Sequence, residues 1–427
     1  MTDLTLLSTD GVTSTVELAA APGYAKPTAP LQSRVAYAAA HVVPKVSADN
    51  TPGRPAEIDW DCTLDFRRAV YSWGLGVADA MDTAQRNMGL DAAATRELIA
   101  RSAQVAREEG GSVVVGVNTD HLDQDVVSID AIIDAYKEQL HFTEEQGAGP
   151  VLMASRHLAR AAESADDYRR VYREVLGAAT TPVVLHWLGT AFDPSLAGYF
   201  GAIDWREASA VLLEIIGENT DRIAGVKMSL LDAASEVSVR ERLPAGVRMF
   251  TGDDFNYVGL IGGDSLEGGS GVGAASARSA AEHTDSVRGG SAPSAGTRTL
   301  APAAPAAGHS DALLGAFAAL TPVASAAIQA LDAGDPDEYL RILGPTEALS
   351  RQVFAAPTFY YKTGVAFLSW LNGHQKAFQM VGGLHSARSL PHLSRIVELA
   401  NASSALEQPE LAADRWHAML RVNGVDA

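Results

Sequence analysis

Ile223-Ala224-Gly225-Val226-Lys227-Met228-Ser229 is the stretch on which the fold turns. Apolar and small residues run unbroken into a lysine, and one more apolar residue follows. That is the pattern of a strand buried on both faces of a parallel sheet, not the alternation of a strand with one wet face. Similar runs rich in Val, Ile and Leu lie upstream at 35–43, 112–117, 150–154 and 182–187, and downstream at 247–251. A shorter apolar piece at 72–80, after a helix near 64–70, fits between the first two. Helical spacing fills the gaps, over 92–109, 129–146, 161–176, 205–218 and 233–242. Strand alternating with helix predicts a parallel α/β fold. Seven strands before residue 262 favour a (β/α)₈ TIM barrel over an open doubly wound sheet.

The chain is not uniform around that core. In residues 264–308, 30 of 45 are Gly, Ala, Ser or Pro and none is aromatic. Such a stretch buries too little apolar surface to offset its ordering entropy. It reads as a flexible insertion, although long loops also serve as lids. The eighth strand is expected in this neighbourhood, with the insertion interrupting the seventh or eighth unit. Residues 1–33, broken by Pro27 and Pro30, read as a surface arm. Residues 34–263 carry the main part of the barrel. From 309 to 427 the strand signal fades, and helices are expected over 309–333, 337–354, 359–371, 388–402 and 409–422. They form the end of the barrel and a C-terminal helical extension.

Composition excludes several functions. The chain has 427 residues, 47% of them hydrophobic, and a formal charge of −19. Nucleic acid and anionic membrane need clustered positive charge, so neither is an expected partner. Anionic small molecules need only one or two local cations and stay open. Cys62 is the one cysteine, which excludes an intramolecular disulfide and a cysteine-rich zinc site. Apolar runs break well before 18 residues, and Asp3 and Asp10 interrupt any leader-like start. A cytoplasmic protein is the expectation.

Lys227 is the sharpest chemical feature. The sequence has six lysines against 27 arginines, and Lys227 alone stands at the end of a core strand. Barrel enzymes place catalytic groups at that end. A lysine there loses hydration, its pKa falls, and the free amine can attack a carbonyl to form a Schiff base. The plainer reading is an ion pair with Asp232 or Asp253.

Gly225-Val226-Lys227-Met228-Ser229, followed by Thr251-Gly252-Asp253-Asp254, resembles the sixth and seventh strands of the dihydrodipicolinate synthase/N-acetylneuraminate lyase family. Ile58-Asp59-Trp60 fits the segment after that family's first strand, and Pro182-Val183-Val184-Leu185 its fifth. The whole chain, with Phe359-Tyr360-Tyr361-Lys362-Thr363-Gly364 and Phe378-Gln379-Met380-Val381-Gly382-Gly383, is similar to a dihydrodipicolinate synthase-like branch. The resemblance implies a class I aldolase barrel, a Schiff-base role for Lys227, no cofactor, a small keto-acid or keto-sugar substrate and a homo-oligomer.

The chain departs from the family at two strand ends. The family's fifth strand ends in Tyr-Asn-x-Pro-x-Arg; here His186-Trp187-Leu188-Gly189-Thr190-Ala191 stands there. Its second ends in Gly-Thr-Thr-Gly-Glu; here the stretch is Ala80-Met81-Asp82-Thr83-Ala84-Gln85-Arg86. Asp82 would repel a substrate carboxylate, which argues against dihydrodipicolinate synthesis itself. His186 or Thr83 is then the candidate proton carrier. Arg86 or Arg156 could bind a carboxylate or phosphate. Asp82 and Thr83 could bond sugar hydroxyls, and Asp253 and Asp254 could orient Lys227, bind a polyol or simply cap the next helix.

The leading expectation is a Schiff-base lyase, aldolase or dehydratase acting on a keto acid or keto sugar. One competitor is a metal-dependent sugar isomerase or epimerase drawing on His41, His121, His157 and His186 with Asp82, Asp120, Asp253 and Asp254, with Asp120-His121 as the best local cue. The other is a barrel that binds without catalysing.

Overall fold

Eight parallel strands close a barrel in the order β10-β3-β4-β5-β6-β7-β8-β9. A computed structural model describes residues 3–269 and 308–426. The barrel strands are β3 (Ala36–Ala39), β4 (Gly76–Asp79), β5 (Val113–Val117), β6 (Gly149–Leu152), β7 (Val183–Leu188), β8 (Ile223–Ser229), β9 (Arg248–Thr251) and β10 (Asp311–Leu314). Helices lie between them as the spacing predicts. Their starts are fixed by side-chain caps: Asp59, Asp91, Ser128 and Asp204 each accept a hydrogen bond from a first-turn amide.

Two apolar clusters follow from the strand period of two. Tyr37, Val114, Val151, Val184, Phe250 and Leu313 fill the barrel interior. Their sequence neighbours, such as Val115, Leu185, Val226 and Met249, face outward onto the helices. Lys227 falls on the inward set, in register with His186 on β7 and Phe250 on β9. Its ammonium group is therefore directed into the barrel mouth rather than the helix layer.

The eighth strand corrects one expectation. Asp311-Ala312-Leu313-Leu314 begins the segment expected to be helical over 309–333, and the helix proper is Thr321–Asp332. Asp311 closes the ring: it accepts from the Val35 amide at 2.7 Å and pairs with Arg248 at 2.7 Å. The strand is only four residues long and has no β-branched side chain, so its local signal is faint. Of the 264–308 insertion, residues 270–307 lie outside the described residues.

The arm at 1–33 also holds structure. β1 (Asp3–Leu7) and β2 (Thr13–Glu17) form an antiparallel hairpin. Leu4 is fully buried, Trp416 donates to the Thr5 carbonyl at 2.7 Å, and the Leu7 amide donates to Ser394. The hairpin thereby clasps helices Leu390–Ala402 and Pro409–Val422 of the extension. No described helix is long and apolar enough to cross a membrane.

Candidate active site

The ends of β3 and β4 are set by a buried ion pair. Arg67 meets Asp79 through two hydrogen bonds of 2.9 and 2.8 Å, with both side chains fully buried. Arg67 also donates to the His41 and Thr63 carbonyls, and Asp79 accepts from the Ala80 amide. That network anchors the turn that presents Asp82 and Thr83. Ala80 sits at φ +49°, a left-handed geometry that a non-glycine residue adopts only when its surroundings impose it.

β8 supplies Lys227; Gly225 on that strand makes room for Phe250, and Gly252 makes room for the lysine itself. A Cβ on Gly225 would stand 2.8 Å from the Phe250 ring. One on Gly252 would stand 2.1 Å from Ser229 Oγ and 2.7 Å from Lys227 Cε. The lysine side chain passes through the space that Gly252 leaves. Lys227 is 8% exposed, and its amine makes no hydrogen bond or ion pair among the described residues. Burial pushes its pKa below the usual lysine value, against the opposing pull of Asp254 and Asp82. The expected alternative partners are engaged elsewhere: Asp232 caps helix Ala233–Arg240, and Asp253 accepts from the Phe255 and Asn256 amides and from Asn256 Nδ2.

A narrow cavity of about 10 Å³ gathers Asp82, Thr83, Lys227, Asp254 and Tyr361, with Phe192 on its wall. It has room for about one water, so a larger ligand must displace a side chain. Thr83 Oγ1 and Tyr361 Oη are hydrogen-bonded at 2.8 Å, both buried. Burial raises the Tyr361 pKa well above its ordinary value, with Asp82 adding to the effect, so the phenol keeps its proton. Asp254 accepts from the Ala316 amide at 2.9 Å, and burial raises its carboxyl pKa even though Lys227 opposes the shift. Desolvation thus brings the pKa values of the two groups closer together and lowers the cost of moving one proton from the lysine to the aspartate. The Asp82 carboxylate is half-buried and accepts no side-chain hydrogen bond among the described residues.

The remaining candidates fall away from this cluster. His186 lies beside Lys227 in register, but its Nε2 meets Ser229 Oγ at 3.1 Å and it does not wall the cavity. Burial, then the nearby lysine charge, depresses its pKa well below 6.5, so it is a neutral imidazole. Arg86 was expected to be free for a substrate anion; it is not. It holds Asp120 by two hydrogen bonds of 2.7 and 2.6 Å and donates to the Ala80 and Gly116 carbonyls and to Gln139. The sequence shows the arginine without showing the partner that consumes it. His121 meets Gln139 and Glu138 on the outer side of that pair. Among the described residues no three His, Cys, Asp or Glu side chains gather as a metal-binding group.

Tyr361 comes to the cluster from helix Tyr361–Leu371 of the extension. Next to it in sequence, Lys362 is 3% exposed and donates to the Phe359 carbonyl at 3.1 Å with its amine 4.4 Å from the Tyr361 ring. Burial lowers its pKa to about 8, with Asp82 acting in the opposite sense. The scarcity of lysine was the one sequence signal that could have marked it.

The fold is shared with dihydrodipicolinate synthases. The enzyme of that name from Aquifex aeolicus aligns over 88% of this chain and 99% of its own, with a TM-score of 0.58 and 12% identity. That of Bacteroides thetaiotaomicron aligns over 86% and 98%, at 0.58 and 12%. The 4-hydroxy-tetrahydrodipicolinate synthase of Methylacidiphilum fumariolicum aligns over 91% and 98%, at 0.56 and 13%. At such identities the likeness is one of fold. No curated protein matches the sequence. A family model described as "Protein of unknown function (DUF993)" matches residues 4–425, and the chain belongs to that family.

Proposed function

We propose that the protein is an imine-forming lyase, of aldolase or dehydratase type, that acts on a hydroxylated keto acid or keto sugar. One observation carries this reading: a buried lysine amine without an ion-pair partner shares a cavity with a hydrogen-bonded Thr83–Tyr361 pair. Structural lysines at strand ends are normally paired, because an unpaired buried ammonium is costly.

The chemistry follows from the protonation states. The reacting form is the fraction of the pair in which Asp254 holds the proton and Lys227 is a free amine. The amine adds to the substrate carbonyl carbon. Two protons then reach the carbonyl oxygen through the Thr83–Tyr361 hydroxyls, one from the amine nitrogen and one from Asp254, and the oxygen departs as water. The resulting iminium draws the electron pair of a neighbouring bond. In a lyase the bond between the α and β carbons breaks, and the β hydroxyl passes its proton along the Thr83–Tyr361 hydroxyls to the carboxylate that Asp254 now presents. In a dehydratase the Asp254 carboxylate takes the α proton and returns it through the pair to the β hydroxyl, which leaves as water. Asp82 accepts a hydrogen bond from a substrate hydroxyl and disfavours a carboxylate at that position, which supports a polyhydroxy substrate over bare pyruvate.

Borohydride trapping tests the proposal. The folded protein is incubated with pyruvate, hydroxylated keto acids and keto sugars, reduced, and mapped by peptide mass spectrometry. A reduced adduct on Lys227, absent in Lys227→Ala, is expected. No adduct with any compound, or an adduct confined to another lysine such as Lys362, would overturn it.

A further inference from the structure

A second and wider cavity lies at the same end of the barrel as the Lys227 cluster. It measures about 250 Å³ over the ends of β5 and β6, and Asn118, Asp120, Asp125, Arg156, His157 and Arg160 are among its walls. Two connections tie it to the reacting amine. Phe192 walls the narrow cavity, and the next residue, Asp193, holds Arg156 through its Nε. Lys362 walls neither cavity, but Asp82, Arg156 and Asp193 all lie within electrostatic range of it.

The inner surface of this cavity offers donors. Its carboxylates are already engaged, Asp120 by Arg86 and Asp125 by Arg160 at 2.9 Å. Asp193 engages Nε of Arg156 and leaves the outer edge of the guanidinium open. There the Asn87 amide, turned so that its nitrogen meets Asp120 at 3.1 Å, offers its oxygen to Nη1 at 3.3 Å. Nη2 has no partner among the described residues. Asn118 uses its oxygen on the Thr119 amide at 2.7 Å, and its Nδ2 is likewise unused among them. Lys362 donates to one carbonyl and has no carboxylate within ion-pair distance among the described residues. A buried cation and an open guanidinium edge are matched by a ligand that accepts hydrogen bonds and carries negative charge.

We infer that this cavity binds the anionic far end of the substrate, a carboxylate or phosphate, with Arg156 as its principal ligand and the charge of Lys362 within electrostatic range. This rests on the imine reading for the identity of the substrate's near end. The compound would carry a keto group at Lys227, hydroxyls beside Asp82 and an anionic terminus at Arg156. Such a compound is the kind of product that oxidation or dehydration of a sugar acid, or phosphorylation of a keto sugar, supplies.

The test separates the two readings. Inorganic phosphate and succinate are titrated calorimetrically into wild-type protein, Arg156→Gln and Arg156→Lys, with thermal unfolding to check that each variant is folded. One of the two anions is expected to bind wild type, which names the terminus. Arg156→Gln should weaken it about ten- to a hundredfold, the range for a charge-assisted hydrogen-bonded pair, and Arg156→Lys less. In parallel, keto acids of equal chain length with and without a terminal carboxylate or phosphate are trapped on Lys227. Arg156→Gln should raise the half-saturating concentration for the anion-bearing member alone. Failure of both anions to bind wild type at millimolar concentration, or equal binding by folded Arg156→Gln, overturns the anion site. Neither result touches the imine reading, which stands or falls on the Lys227 adduct.

Discussion

Replacing Tyr361 by Phe separates a catalytic role for the C-terminal helix from a structural one. The change removes one oxygen and keeps the ring, which stacks on Phe354 with centroids 4.3 Å apart and an interplanar angle of 13°. The lost contact is one neutral hydrogen bond to Thr83 at 2.8 Å. A bond of that kind contributes about 1 kcal/mol, and Thr83 keeps some freedom to find water in the cavity. In a chain of this size the melting temperature should therefore fall by about 1–2 °C. The chemical effect should be far larger. If the pair carries protons to and from the substrate, its loss costs about 10²–10⁴ in rate. The assay is the rate of reducible adduct formation on Lys227, followed by quenched borohydride trapping, so it reads imine chemistry before any product is identified. Tyr361→Phe and Thr83→Val should each slow it at least a hundredfold, and the double variant should be little worse than either, because they act as one unit. Trapping at the wild-type rate in Tyr361→Phe would refute the relay and leave Tyr361 as a wall of the cavity.

Three further outcomes follow from the same geometry. The trapping rate should rise with pH as Lys227 deprotonates, with an inflection well below the ordinary lysine value of 10.5, because burial lowers its pKa; an inflection near 10.5 would mean that the amine is solvated. Glu236 is buried, with burial raising its pKa from 4.5 to about 8. The folded state therefore holds a proton that the unfolded state has lost between those values, and stability falls as pH rises from about 4.5 to 8. Glu236→Gln mimics the protonated form and should raise the melting temperature at pH 8 while leaving it nearly unchanged at pH 4; an equal shift at both would contradict the assignment. Gly252→Ala should place a methyl 2.1 Å from Ser229 Oγ and 2.7 Å from Lys227 Cε. Overpacking of this sort costs about 1–3 kcal/mol, and adduct formation on Lys227 should drop further than the stability loss explains; unchanged trapping would show that the lysine reaches the mouth by another path.

Much of the barrel was legible because parallel strands are buried on both faces and so appear as continuous apolar runs, as at 112–117 and 223–228. The eighth strand was not, since Asp311-Ala312-Leu313-Leu314 owes its place to Asp311 bridging β3 and β9, a contact between residues far apart in sequence. The hairpin over 3–17 does alternate, Leu4 and Leu6 inward, but Pro27 and Pro30, which break any helix, made the whole of 1–33 read as a surface arm. Within the site, Thr83, Lys227 and Asp254 could be set side by side because each stands at a strand end, and strand ends form one ring. Arg86 and Asp253 occupy the same ring and are spent on internal partners, a distinction that depends on side-chain geometry. Tyr361 and Lys362 reach the ring from a helix outside the barrel repeat, so no strand-end rule could have placed them.

The division between the two kinds of cation carries a further consequence. Arginine outnumbers lysine 27 to six, and the buried arginines do structural work: Arg67 on Asp79, Arg86 on Asp120, Arg34 on the Ile261 and Gly262 carbonyls. A guanidinium keeps its proton throughout the physiological range, so it can be buried among acceptors without changing state. An amine cannot be held so firmly, and burial without a hydrogen-bonded ion pair drives it toward the neutral form. Two of the six lysines are buried in this way, and both face Asp82. Converting Lys362 to Arg would therefore be more informative than converting it to Ala. The guanidinium preserves the charge offered to an anion and removes the ability to lose it. If Lys362 serves only as a fixed cation, anion binding should survive in Lys362→Arg; if it must shed its proton, the wild-type pH dependence of adduct formation should change shape while Lys227 remains the site of the adduct.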